Sequence, residues 1–230
     1  PIGIPDEALQ FADSGTRLFE LDSSDASAAF PPRAKDSHKG EFGHVLVVGG
    51  SIGKSGAAAL AARGAFRTGA GLVTVASVGE VCRVVGVSLP EAMTVSLGEG
   101  AECGDLGGAL DRVLELASGM DALVIGPGLG RTEKTQKFAI ELAGRCGVPV
   151  VMDADGLYGL QPEALARLRK RAAPTVLTPH PGEMARILGL DSAGVQVDRV
   201  KAVRQVVAES GSTVVLKGHH TLICNQRSEV

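Results

Sequence analysis

The chain contains no tryptophan and a single tyrosine, Tyr158, among 230 residues. It has 31 glycines, so packing must come from small side chains and turns. Such a composition suits tight helix–sheet contacts and loops that cradle nucleotides. Cysteine is also scarce: Cys82, Cys103, Cys146 and Cys224 are widely spaced and form no C-x-x-C pair. That argues against a zinc site or a disulfide framework and for buried, reduced thiols in a cytoplasmic protein. The formal net charge is only -3, with both signs interspersed. There is no basic stripe for nucleic acid and no acidic solvating tail. Hydrophobic residues make up 44% of the chain, yet no apolar run approaches the ~18 residues of a membrane span. The opening residues, PIGIPDEALQ, lack the basic start and apolar core of a signal peptide.

Two kinds of segment alternate along the rest. Short β-branched runs occur at His44–Gly50, Gly71–Ser77, Asp121–Gly128, Val148–Asp155, Pro174–His180 and Ser212–Gly218. They read as strands buried on both faces, as in a parallel sheet. Helical runs begin at Ser55, Leu106, Arg131 and Asp198, and several end at glycine, the expected stop. The alternation predicts an α/β domain with a mostly parallel central sheet between helices. Residues 1–30 lack this periodicity and read as a tail or linker, leaving 31–230 as the folded domain. Near the C-terminus, Thr221–Cys224 reads as a strand entering a hairpin whose partner is absent, so the chain reads as a fragment.

In an open parallel sheet, the loops at the carboxyl ends of the strands converge on one crevice. The run VVGGSIGKSGAAAL, Val47–Leu60, sits at such an end. A P-loop requires G-x-x-x-x-G-K-[ST]. Counting back from Gly53-Lys54-Ser55 puts its first glycine at position 48, which is Val48. The G-x-G-x-x-G pattern fails too, because Gly49 and Gly50 are adjacent. What remains is a glycine-rich turn, either an anion-facing helix start or a tight turn without a ligand. IGPGLGR, Ile125–Arg131, repeats the arrangement. In VMDADGL, Asp153 is suited to a hydroxyl or a metal-bound water, or to capping the next short helix; Asp155 fits the capping role better. In LTPHPGEM, Pro181 starts a helix and His180 projects at the crevice. In VVLKGHHT, Lys217 at a strand end needs an anion. Two adjacent histidines, His219 and His220, would face opposite sides of a strand, which argues against a His-His metal site. His38 and Lys39 either border the site or lie in an ordinary exposed loop.

Taken in order, HKGEFGHVLVVGGSIGKSGAAALAARGAFRTGAGLVTV, ALVIGPGLG, PVVMDADGL, LTPHPGEM and VVLKGHHT resemble the dehydratase domain of the NAD(P)HX repair enzymes, a branch of the ribokinase-like superfamily. The resemblance spans about residues 35–225, and PIGIPDEAL also resembles the tail of the epimerase domain that precedes it in bifunctional members. It implies a three-layer α/β/α fold and repair of hydrated NADH or NADPH. ADP, or ATP in other members, phosphorylates the ring hydroxyl with Mg²⁺, and phosphate then leaves. By motif, the resemblance sets Ala57, Gly128 and His180 against the hydrated dinucleotide, with Asp153 supporting the site. It gives Lys217, Gly218, His219, His220 and Thr221 to the adenine nucleotide, and on it Lys54 need not be a phosphate lysine. It assigns no residue to a metal, and it implies a homo-oligomer. The family's G-G-x-G-D run, which carries its presumed catalytic Asp, does not occur in these residues. The expected base lies beyond Val230, and the piece alone is expected to be inactive. Two other readings stay open: a ribokinase-like kinase for a vitamin precursor, and a truncated non-catalytic nucleotide-binding module. HKG-x-x-G and TPHPGE favour the dehydratase.

Overall fold

The β-branched runs and helical runs become strands and helices in the expected order in the computed structural model, which describes residues 18, 20–28, 30–105 and 108–226. The epimerase-like run PIGIPDEAL lies outside the described residues, as do Leu106 and Gly107. A short helix, α1 (Ser23–Ala28), occurs in the stretch expected to be linker. Asp22 Oδ1 caps it, accepting from the Ser24 N–H at 2.7 Å.

The strands are β1 (His44–Val48), β2 (Leu72–Ser77), β3 (Met93–Ser96), β4 (Ala122–Ile125), β5 (Val150–Met152), β6 (Thr175–Leu177), β7 (Thr213–Leu216) and β8 (Leu222–Cys224). The connecting helices are α2 (Ser55–Arg67), α3 (Gly79–Ser88), α4 (Ala109–Ala117), α5 (Glu133–Arg145), α6 (Pro162–Leu168), α7 (Pro181–Leu188), α8 (Ser192–Val197) and α9 (Arg199–Ser210). Glycine stops the last helical stretches as expected: Gly189 ends α7 and Gly211 ends α9, both in the left-handed region. The periodicity alone marks no element at α3, β3, α6 or α8. Their segments are short or mix glycine with β-branched residues, so no period emerges.

All eight strands form one sheet in the order β3-β2-β1-β4-β5-β6-β7-β8. Pairing is parallel from β3 through β7. Strand β8 runs antiparallel to β7, with Val215 opposite Ile223. Strand β8 thus forms a hairpin with the preceding β7, and Lys217–Thr221 is the turn between them. The strand order reverses between β1 and β4, which makes the space beyond their carboxyl ends the topological switch point.

Right-handed crossovers set the layers. The chain steps one way from β1 to β3 and the other way from β4 to β7. Helices α2 and α3 therefore pack on one face, and those joining β4 to β7 on the other. Burial follows this division. Leu46–Val48 and Val73–Ser77 are buried without interruption, covered on both sides. Along β4 to β7 burial alternates: Leu123, Ile125, Met152, Leu177 and Leu216 are fully buried, whereas Val124, Val151, Val176 and Val215 are half-buried. The expectation of strands buried on both faces thus holds for β1 and β2 and fails for β4 to β7. Each fully buried leucine or isoleucine contributes roughly 1.5–3 kcal/mol. The four cysteines are free and buried. Burial pushes the Cys103 thiol up to about 11. Among the described residues, no helix is long and apolar enough to cross a membrane.

Candidate functional site

The two glycine-rich turns meet at the switch point. Gly50 N–H donates to the Pro127 carbonyl at 2.8 Å, and Ser51 Oγ donates to the Gly128 carbonyl at 2.8 Å. A Cβ on Gly49 would lie 2.5 Å from the Pro127 oxygen. At Gly128, with φ +67°, a Cβ would lie 2.9 Å from the Ala57 methyl and 2.8 Å from the Lys54 carbonyl. Glycine is needed at these positions so that two backbones can touch. Ala57 and Gly128, expected on one ligand, are therefore in contact with each other, Ala57 half-buried and Gly128 buried.

A third turn, after β5, ties the first two together through one carboxylate. Asp155, only 5% exposed, accepts from Arg131 Nε at 2.5 Å and Lys54 Nζ at 3.1 Å. It also accepts from the Gly130 N–H at 3.1 Å. Burial alone would raise its pKa; the bonds from Arg131, Gly130 and Lys54 outweigh that and hold the carboxyl below its ordinary value. The bond to Asp155 in turn raises the Arg131 guanidinium. Asp155 caps nothing, so the capping role expected for it is corrected. Lys54 directs its half-exposed ammonium to Asp155.

Asp153 occupies the N-cap position of the short 3-10 turn Ala154–Leu157 but makes no side-chain capping bond. Its Oδ1 instead accepts from Lys217 Nζ at 2.6 Å and from Thr178 Oγ1 at 2.8 Å. The anion expected beside Lys217 is thus Asp153, with the Glu183 carboxylate 3.8 Å away. His180 caps α7: its Nδ1 accepts from the Gly182 and Glu183 N–H groups at 3.0 and 3.3 Å. The His180 N–H donates to Glu183 Oε2 at 2.8 Å, which completes a capping box. Because Nδ1 accepts, the ring hydrogen belongs on Nε2, which faces Glu183 Oε1 at 3.4 Å. The ring stays half exposed at the crevice, its side chain 55% accessible.

Lys217 also anchors its loop through the backbone, its N–H donating to the Pro179 carbonyl at 2.9 Å. Gly218 turns the chain with φ +141°. His219 and His220 follow in a bend rather than on a strand, which corrects the expectation that they face opposite sides. Their exposed rings tilt together with centroids 4.0 Å apart. Thr221 Oγ1 donates to the Gly218 carbonyl at 3.1 Å. Arg199 of α9, which sequence reasoning missed, braces this loop by donating to the His219 and Leu216 carbonyls at 2.6 and 3.3 Å. The loop therefore has a fixed shape and an outward-facing polar surface.

His38 and Lys39 fall elsewhere. The turn Lys39–Phe42 packs on the start of β2, and the Gly71 N–H donates to the Phe42 carbonyl. That is the amino end of the strands, away from the crevice. Sequence reasoning also missed Arg131, Tyr158 and Arg186, whose side chains gather beside Asp155. An arginine closing a glycine-rich turn and the lone tyrosine were the available signals. Among the described residues, no three His, Cys, Asp or Glu side chains cluster so as to hold a metal ion.

Residues 45–230 match the family model described as NAD(P)H-hydrate dehydratase. The bifunctional NAD(P)H-hydrate repair enzyme of Moorella thermoacetica is 41% identical over 225 residues, covering 96% of this chain and 41% of that protein. The ADP-dependent (S)-NAD(P)H-hydrate dehydratase of Neisseria meningitidis serogroup B is 42% identical over 210 residues, covering 87% of this chain and 64% of that one. The chain thus spans about two fifths to two thirds of the length of these relatives. Among solved structures, the ADP/ATP-dependent NAD(P)H-hydrate dehydratase of Bacillus subtilis, co-crystallised with ATP and Mg²⁺, superposes with a TM-score of 0.72 at 28% identity, covering 93% of this chain and 71% of that one. A match over residues 45–230, identities of about two fifths to these relatives and a superposition over 93% of the chain lead to one conclusion: this chain belongs to the NAD(P)H-hydrate dehydratase family.

Proposed function

We propose that the protein restores NADH and NADPH from their S-hydrates, using ADP and releasing AMP and phosphate. The observation that carries this is the 2.6 Å contact between Lys217 and Asp153. It joins the loop assigned to the adenine nucleotide to the strand end assigned to the dinucleotide, as phosphoryl transfer between two bound molecules requires. On this assignment Ala57, Gly128 and His180 hold the hydrated nicotinamide end, and Asp153 orients Lys217. Lys217 through Thr221 hold the nucleotide phosphates, with the ammonium of Lys217 available to developing phosphoryl charge.

The hydroxyl on the ring is a poor leaving group, and phosphorylation converts it into phosphate. The ring nitrogen's lone pair then drives phosphate out, leaving an iminium ion, and loss of a proton from the adjacent ring carbon restores the double bond. The protein's part is in-line positioning and exclusion of water. No described carboxylate cluster stands ready for a metal, so Mg²⁺ would arrive held mainly by nucleotide phosphates and water, supplying charge neutralisation. ADP rather than ATP as donor is supported by the name of the Neisseria relative.

The same assignment makes the protein cytoplasmic, where the coenzymes are used, and allows fusion to an epimerase domain, as the bifunctional Moorella relative supports. It also makes it a homo-oligomer, supported by the exposed Leu60 on α2 and the exposed Val84 and Val87 on α3; light scattering tests this. The activity test is incubation of the protein, expressed from its complete reading frame, with NADHX and ADP. Recovery of NADH absorbance is expected. No recovery, together with phosphorylation of a small alcohol, would overturn the proposal in favour of a ribokinase-like kinase.

A further inference from the structure

Beside the crevice two cationic side chains share one carboxylate, and a third lies next to them. Lys54 and Arg131 share Asp155. Arg186 meets the face of Tyr158 with its guanidinium carbon 4.2 Å from the ring centroid. Arg131 meets the same ring at 4.9 Å. Among the described residues no carboxylate pairs with Arg186. The nearby Glu183 is already held by the His180 N–H and faces Lys217. Two guanidiniums are therefore brought to one tyrosine with a surplus of positive charge, and both remain solvent-accessible.

Like charges repel, so such a grouping persists only if something gains from it. Stacking on the ring supplies part of the attraction. Asp155 supplies more for Arg131, and a bound anion would add to it for both, because planar guanidiniums match phosphate oxygens in pairs. The position is suited to one. Arg131 follows Gly128 by three residues in the same turn, and Arg186 lies on the helix that His180 caps.

We infer that Arg131 and Arg186, gathered on Tyr158, form a phosphate subsite for the dinucleotide substrate, separate from the Lys217–Thr221 loop. This rests on the dehydratase assignment. The ligand chemistry is a phosphate group of the dinucleotide, and two sources qualify: the pyrophosphate bridge common to both coenzymes, and the 2′-phosphate present only in the NADP series.

The test is calorimetric titration of the protein, expressed from its complete reading frame, with NADPH and separately with NADH. Arg186→Gln is the main variant because, among the described residues, its guanidinium packs on Tyr158 and pairs with no carboxylate; Arg131→Gln, which also breaks the Asp155 pair, is the second. Lys170→Gln, exposed before the amino end of β6, is the control. Loss of about ten- to a hundredfold in NADPH affinity alone assigns the 2′-phosphate. An equal loss for both coenzymes assigns the pyrophosphate. Either result should fade at high salt, and Arg186→Lys should restore part of it. Unchanged affinity in both variants overturns the subsite, even if Arg186→Gln melts at a lower temperature. If the wild-type protein restores NADHX but the variants bind normally, only the subsite falls. If the wild type neither binds coenzyme nor restores NADHX, the dehydratase assignment falls and takes the subsite with it.

Discussion

The ammonium of Lys217, at the end of β7, lies 2.6 Å from Oδ1 of Asp153, at the end of β5. The two are 64 positions apart in sequence, and strand β6 runs between their strands. Asp153→Ala should therefore weaken nucleotide use even though Asp153 is outside the nucleotide loop. We expect the KM for ADP to rise about tenfold. Lys217→Ala should do at least as much, and the double variant should lose less than the two single losses combined. Additive losses would show that the pair is not a functional unit.

Lys54 and His180 should differ sharply. Removing Lys54 leaves Asp155 with Arg131 and the Gly130 N–H, so Lys54→Ala should reduce kcat/KM by no more than about fivefold. His180→Ala removes a helix cap, about 1 kcal/mol of stability, together with a side chain at the crevice. Its kcat/KM should drop by roughly a hundredfold, the scale expected when a charge-assisted hydrogen bond to substrate is removed. Equal losses would mean that Lys54 handles phosphate after all.

Gly128→Ala tests the contact between the turns. The added methyl would press on Ala57 and the Lys54 carbonyl, at a φ that suits glycine. A destabilisation of about 1–3 kcal/mol is expected in denaturant unfolding. A second variant, Ala57→Gly with Gly128→Ala, should recover part of it by removing the facing methyl. No recovery would place the strain in the backbone alone.

Asp155 sets an acid limit. Its folded carboxyl lies below the ordinary aspartate value, so the unfolded chain takes up the proton first as pH falls. The stability it contributes is complete above the unfolded pKa of ~4 and disappears as pH drops through the folded value. Asp155→Asn should lower stability by about 1–3 kcal/mol at pH 7, with the deficit shrinking below about pH 4. A deficit that stays constant with pH would show that packing, not charge, accounts for it.

What could be read from the linear chain was whatever depends on local pattern. Continuous β-branched runs separated by helical runs with glycine stops dictate a parallel α/β sheet, because both signals are set by neighbours within a few residues. The turn chemistry was legible for the same reason: Val48 where a P-loop needs glycine, prolines around His180, glycine after Lys217. Partnerships across the sheet were not. The strand order that sets β1 beside β4 is decided by crossovers, and it alone brings Gly128 onto Ala57. Asp155 looked like a cap from its position, yet long-range geometry makes it the acceptor for Lys54 and Arg131. Tyr158 stands out as the lone tyrosine, but the linear chain does not show that Arg131 and Arg186 meet on its ring. Side-chain identity and spacing determine which residues reach the crevice; only the folded sheet decides which of them meet, since charge pairing depends on distance in space and not on separation along the chain.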